Sequence, residues 1–141
     1  HIIRIVRPQN KGSFNHLITQ PIYQMMLLTM EKEAQRLAEH FPQLTFTRSS
    51  PYATDIICKG NSKLIGIKRL GDFYHFSTDE VMVFGDSNND IEMLGEVRYS
   101  VAMKNGTKQA KQVASYITDT NNKAGIYKGL RHFHLVEEHN V

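Results

Sequence analysis

The sequence predicts an α/β protein in two parts. Residues 60–141 carry a mostly parallel sheet with its helices, and residues 1–59 carry part of a smaller α+β unit. Three observations predict this division. From Ser62 onward the chain alternates as helix, strand, helix, strand, helix, strand, helix, which is the pattern of βαβ units. VMVFG, residues 81–85, is a short continuous apolar run, as expected of a strand buried on both faces. Before residue 60, alternating runs and a single helical stripe instead suit strands that carry one helix on one face.

In the first part, IIRIV at residues 2–6 reads as a strand closed by the Pro- and Gly-bearing loop RPQNKGS. The apolar stretch IYQMMLL follows Pro21, and Tyr23, Met25, Met26 and Met30 are expected to pack in the interior. Ala34, Leu37, Ala38 and Phe41 stand at i, i+3, i+4 and i+7, on one stripe of a helix from about residue 31 to residue 41. Glu31 and Glu33 suit its positive end, and Pro42 stops it. LTFTRS at 44–49 alternates apolar and polar, and ATDIIC at 53–58 pairs with it across the SSPY turn. Cys58 is expected to be inert interior packing.

In the second part, Ser62 caps a helix that bears Leu64, Ile67 and Leu70 and leaves at Gly71. The VMVFG strand follows, then a short helix over residues 89–94, a strand over 99–103, a helix over 107–114 and the brief strand SYIT. Ile126, Leu130 and Phe133 at i, i+4 and i+7 mark a final helix.

Composition bounds the function. With 40% hydrophobic and 22% charged residues, the chain has apolar material for a core, and wholesale disorder is not expected. Seventeen Lys and Arg against 14 Asp and Glu give a net charge of +3. That excess is spread along the chain without a block of like charges, so no nucleic-acid partner is expected. The longest apolar runs, such as MMLL and VMVF, fall far short of the roughly 20 residues that span a bilayer, so no membrane segment is expected. A single cysteine excludes an internal disulfide and fits a reducing cytoplasm. The chain begins at His1 with no signal-peptide pattern, and is expected to be a piece of something longer.

The chemistry concentrates in VMVFGDSNNDIEML, residues 81–94, where an apolar strand runs straight into Gly, two carboxylates and two Asn before a helix. Ligands of open parallel sheets gather at the carboxyl ends of strands, which is where Asp86 stands. Mg²⁺ takes hard oxygen ligands, few of them from protein, and Asp86 can supply one. Asn89 and Asp90, three and four residues on, can orient Asp86, a metal-bound water or a phosphate oxygen. The plainer alternative is that Asp86, Asn88, Asn89 and Asp90 only cap the helix. The buried strand in front of them favours the metal site.

GDSNND matches the fourth motif, GDxxND, of the haloacid dehalogenase (HAD) superfamily, and the chain resembles its Cof-type sugar-phosphate phosphatases. The order of NSKLIGIKRL, GDSNND, VAMKNGTKQAKQVASYIT and NNKAGIYKGL is similar to the C-terminal portion of that family. The likeness is close over residues 50–141 and looser over 1–50, which would be the later part of an α/β cap. The resemblance implies a HAD-like Rossmannoid sheet and a Mg²⁺-dependent hydrolase of small phosphorylated metabolites such as sugar phosphates. It implies an Asp nucleophile, a second Asp as acid and base, and a Ser or Thr and a Lys for phosphate. Lys63 matches that Lys, a point cation for equatorial phosphate oxygens as charge builds. Carried over residue by residue, Lys63, Asp86 and Asp90 are the catalytic candidates, Lys63 and Asn89 bind phosphate, and Asp86 and Asp90 hold the metal.

The family's first motif, DxDGT or DxDxT, is absent: no Asp-x-Asp occurs in the 141 residues. A covalent phosphatase does not turn over without its attacking group, so this chain alone is expected to be an inactive C-terminal fragment. The missing strand would leave VMVF as an open edge, which implies self-association or pairing with the N-terminal part. A second reading is a non-catalytic phosphate- or cation-binding regulatory module. The phosphorylation domain of P-type ATPases shares GDxxND but would need neighbouring membrane segments. Other residues weigh less: Asn105 and Gly106 read as a plain turn, and Asp119, Asn121 and Asn122 as a structural loop. His132, His134 and His139 are not expected to bind metal. Arg48 and Ser49 are candidate contacts for a leaving group.

Overall fold

A computed structural model describes Thr19 and residues 21–137. The expected strand at residues 2–6 and His139 lie outside the described residues. The elements form two three-stranded sheets.

The first sheet holds β1 (Met25–Leu28), β2 (Leu44–Ser50) and β3 (Ala53–Cys58), with α1 (Glu31–His40) between β1 and β2 in the chain. The order is β1-β3-β2, antiparallel throughout, and the hairpin across SSPY forms as expected. Thr54 and Ile56 are 1% and 8% exposed, and they share with Ala34 of α1 the covered side of the sheet. Arg48 lies on that side too, donating to the Thr54 hydroxyl at 2.9 Å, to the Thr29 carbonyl at 3.0 Å and to the Pro51 carbonyl. Its guanidinium therefore pins the hairpin turn.

Three packing expectations fail in this part. Leu37 and Phe41 stay exposed although they share the apolar stripe with Ala34, because one helix over a narrow sheet has a single layer to bury against. Tyr23, Met25, Met26 and Met30 are exposed rather than interior, since β1 is an edge strand of the described sheet. Cys58 is exposed as well, at the last position of β3 where the sheet has run out.

The second sheet is parallel, in the order β4 (Met82–Gly85), β5 (Tyr99–Ala102), β6 (Tyr116–Ile117). Its helices are α2 (Lys63–Tyr74), α3 (Ile91–Glu96), α4 (Lys108–Val113) and α5 (Gly125–His132). Leu64, Val83, Met93, Leu94, Val97 and Ala110 form the core on one side, with Ile67, Val81 and Ala114 packed on it. On the other side α5 lies so close that a Cβ on Gly129 would stand 2.7 Å from the Phe84 ring. Val83 and Phe84 thus face opposite layers, as a strand between helices requires. Burial is nevertheless incomplete, because β4 has no strand beyond it among the described residues and Met82 and Phe84 remain half-buried.

Ser62 caps α2 as expected, its hydroxyl accepting the Ile65 N–H at 3.2 Å. The helix continues one turn past Gly71 to Tyr74, where His75 takes the left-handed C-cap conformation at φ 61°. The Phe76 N–H then returns to the Gly71 carbonyl at 3.0 Å, so Gly71 gives room for the returning chain rather than ending the helix. Leu70, expected on the buried stripe, is exposed. Asn105 and Gly106 form the expected turn.

Leu94 is 1% exposed and among the largest fully buried side chains. Leu94→Ala is expected to cost about 2–5 kcal/mol, read as a lower urea midpoint with unchanged slope. A loss below about 1 kcal/mol would contradict the assigned core.

Candidate active site

Two elements of the parallel domain bring the candidate residues together: the strand end at β4 and the first turn of α2. After Gly85 the chain makes a single 3₁₀ turn, Asn88–Asp90, and continues directly into α3. Ser87 is the N-cap, and the spacing Ser-Asn-Asn-Asp forms a capping box in which each side chain serves the other's backbone. The capping alternative is therefore partly true, and it is Ser87 and Asp90 that do the capping. Asp86 lies outside the box and is exposed, accepting one bond from the Ser87 hydroxyl at 3.0 Å.

Asp90 is the buried member, its side chain 4% exposed. Its Oδ2 accepts the backbone N–H of Asp86 at 2.9 Å and of Ser87 at 3.0 Å. Its Oδ1 accepts from the ammonium of Lys63. This placement depends on the absent side chain at Gly85, where a Cβ would sit 2.6 Å from the Asp90 Cβ. Burial pushes the Asp90 carboxyl up, but the Lys63 ammonium and the two N–H groups together hold it below its ordinary value.

Lys63 is the first residue of α2, a helix with no acidic residue in its first turn. A cation there opposes the positive end of the helix dipole. Asp90, 27 residues away in sequence, supplies the compensating charge. The Lys63 side chain is still 52% exposed, so its ammonium can meet a further anion.

A second loop fixes Asp86 from the other side. The Met103 N–H donates to the Gly85 carbonyl at 2.9 Å and the Thr107 N–H to the Asp86 carbonyl at 2.8 Å. A Cβ on Gly106 would stand 2.9 Å from the Asp86 Cα, so the Asn105–Gly106 turn lies directly against the Asp86 backbone. Farther along the same end of the sheet, Lys128 donates to Asp119 at 2.7 Å. That bond, with the Thr120 N–H, holds the Asp119 carboxyl below its ordinary value, in keeping with a structural role for the loop.

The oxygen chemistry suits a hard cation. Asp86 presents an exposed carboxylate, and the Oδ1 of Asn89 is shielded with no donor, an acceptor left over by the fold. The structure brings Lys63, Asp86 and Asp90 to one strand end with Asn89 in the same turn. Both oxygens of Asp90 are engaged within the protein, so it acts as the anchor between Lys63 and the Asp86 loop. No group of three or more His, Cys, Asp or Glu that could hold a metal occurs among the described residues. His132 instead stacks on Tyr116 at 3.7 Å. Sequence reasoning missed Ser87, although Ser at the N-cap with Asp three residues later was a readable signal.

A carboxyl held low in the folded chain stabilises above its unfolded pKa, and that stability is lost as pH falls through the folded value. Asp90→Asn is therefore expected to lower stability by about 2–3 kcal/mol at pH 7, with the difference shrinking below the ordinary carboxyl value of 3.8. Urea titrations of both proteins between pH 7 and pH about 3 check this, and a pH-independent difference would contradict it.

The sequence profile of the haloacid dehalogenase-like hydrolases matches residues 6–130. A Mycoplasma genitalium protein with a provisional phosphatase name is 38% identical over 123 residues, covering 84% of this chain and 43% of its own. The 5-amino-6-(5-phospho-D-ribitylamino)uracil phosphatase YcsE of Bacillus subtilis is 38% identical over 93 residues, 66% of this chain and 37% of that protein. The solved structure of BT1666 from Bacteroides thetaiotaomicron, described among HAD-superfamily phosphatases, superposes with a TM-score of 0.79 at 31% identity, covering 86% of this chain and 46% of that one. The chain spans less than half the length of each of these relatives. With the profile covering most of its length, the chain belongs to the haloacid dehalogenase-like hydrolase family.

Proposed function

We propose that the natural protein carrying this chain hydrolyses small phosphomonoesters with Mg²⁺, and that residues 60–141 supply half of its active site. The observation that carries this reading is the Lys63–Asp90 ion pair beside an exposed Asp86 at the carboxyl end of β4. Lys63 is half exposed, so its charge is available to phosphate oxygens. Asp90 holds that ammonium and, through the same carboxylate, the Asp86 and Ser87 backbone. Of the two proposed metal-site carboxylates, Asp86 would bind the ion directly, with Asn89 Oδ1 as a further oxygen and Asp90 supporting from behind. Bound there, the ion would neutralise phosphoryl charge. The proposal leaves the attacking carboxylate to residues outside this sequence, which holds no Asp-x-Asp.

Two similarities support a small, hydroxyl-bearing metabolite as substrate. The Bacillus subtilis relative is named for a phosphoribitylamino compound. A solved HAD subclass IIB sugar phosphatase matches with a TM-score of 0.78 at 29% identity. The missing Asp-x-Asp favours a second reading, a module that binds cation or phosphate without turnover. We place either in the cytoplasm; among the described residues no helix is long and apolar enough to cross a membrane.

In the natural protein, Lys63→Ala and Asp86→Ala are each expected to lower kcat/KM for para-nitrophenyl phosphate about 100-fold or more. Unchanged rates in both variants would contradict the proposal. For the 141-residue chain by itself, the edge of β4, which no strand covers among the described residues, is expected to pair with a second copy. Light scattering checks this, and a monodisperse monomer would contradict it.

A further inference from the structure

The backbone and the side chain of Asp86 are held by different groups. Its N–H donates to Asp90 Oδ2 at 2.9 Å, and its carbonyl accepts from the Thr107 N–H at 2.8 Å, so the chain is fixed on both sides of its Cα. Neither bond sets the torsions that aim the carboxylate. Among the described residues, the side-chain partner of that carboxylate is the Ser87 hydroxyl, 3.0 Å from Oδ1. The other oxygen, Oδ2, is left for a ligand from outside.

The capping box fixes the direction of the Ser87–Asp86 bond. Within it the Ser87 oxygen accepts the backbone N–H of Asp90, while the Asp90 carboxylate accepts the Ser87 N–H at 3.0 Å. A hydroxyl has one proton and two lone pairs. With a lone pair engaged by the cap, the proton goes to Asp86, whose carboxylate accepts and has nothing to donate. One oxygen thus ties down both the start of the turn and the side chain before it. An Asp at this position would cap the turn equally well but would have no proton to give Asp86.

We propose that Ser87 is a positioning residue for a divalent cation: its hydroxyl holds Oδ1 of Asp86 and so keeps the carboxylate in one orientation with Oδ2 open to the ion. This rests on the reading of Asp86 as a cation ligand, which the phosphatase and the non-catalytic module share. Without the hydroxyl the exposed carboxylate samples several rotamers and must be ordered when the ion binds. Groups that hydrogen-bond a ligating side chain from behind typically contribute roughly 10- to 100-fold to metal affinity.

The test uses the natural protein without substrate and Mn²⁺ as a spectroscopic stand-in for Mg²⁺, with the free ion counted by electron paramagnetic resonance. Glycine serves at an N-cap nearly as well as serine, so Ser87→Gly removes the hydroxyl and spares the turn. Its Kd for Mn²⁺ is expected to rise about tenfold or more, while the melting temperature of the metal-free protein falls by less than about 3 °C. Ser87→Thr keeps both the proton and the cap, and is expected to bind within about threefold of the unaltered protein. A Gly variant that binds within about twofold, or a Thr variant that binds no better than Gly, would overturn the proposal. So would a loss of affinity that comes with a melting temperature lowered by more than about 3 °C, which marks a folding effect. If the unaltered protein binds no Mn²⁺, the cation reading fails and this inference with it. Equal binding by the unaltered protein and the Gly variant sinks this inference alone.

Discussion

The carboxylate of Asp90 is the constraint on which the rest of the site depends. Nearly all of its surface is withdrawn from water, and an ion there must be matched by charge and by donors. Lys63 supplies the charge, and the Asp86 and Ser87 N–H groups supply the donors. One side chain thus fixes two things at once: where the helix bearing Lys63 begins relative to β4, and how the backbone turns as it leaves the strand. Each partner alone would be a poor choice. A lysine at a helix start opposes the dipole, and a buried aspartate is expensive; together they offset one another.

The fold around this pair is arranged to allow close approach. Gly85 lets the Asp90 side chain fold back beneath the strand end, and Gly106 lets the next loop lie against Asp86. The strand-end carboxylate is therefore gripped by its own loop and by the one after β5, while its oxygens stay in solvent. Rigidity in the backbone and exposure in the carboxylate are what a metal- or phosphate-facing group needs. The small sheet contributes differently. Its β2 strand lies against the active-site turn.

Much of this was legible in the sequence, and the failures share a cause. Local rules sufficed for the hairpin across SSPY, the Ser62 cap and the parallel pairing of the second sheet, whereas the gathering of Lys63 with Asp86 and Asp90 was implied by the family resemblance. Burial was less legible, because periodicity says which residues share a face but not whether another layer covers it. Leu37, Phe41 and Leu70 lie on correct stripes with nothing over them among the described residues, and the methionines around β1 sit on an edge of the described sheet. Arg48 could not be read either: its three acceptors are a hydroxyl and two carbonyls brought near by the turn itself.

The division of labour at the strand end follows from these contacts. Asp90 is occupied and acts through others, Lys63 is shared between Asp90 and the outside, and Asp86 is held by its backbone while its exposed carboxylate accepts from the Ser87 hydroxyl. The family resemblance singled out Lys63 in the sequence, and the contacts show how Asp90 holds it. The most direct test of the central claim is a double-mutant cycle on folding stability, with Lys63→Met, Asp90→Asn and the pair together. The account predicts a coupling of about 1–3 kcal/mol, because the half-exposed ammonium and the buried carboxylate depend on one another. Additive losses, with coupling below about 0.3 kcal/mol, would contradict it.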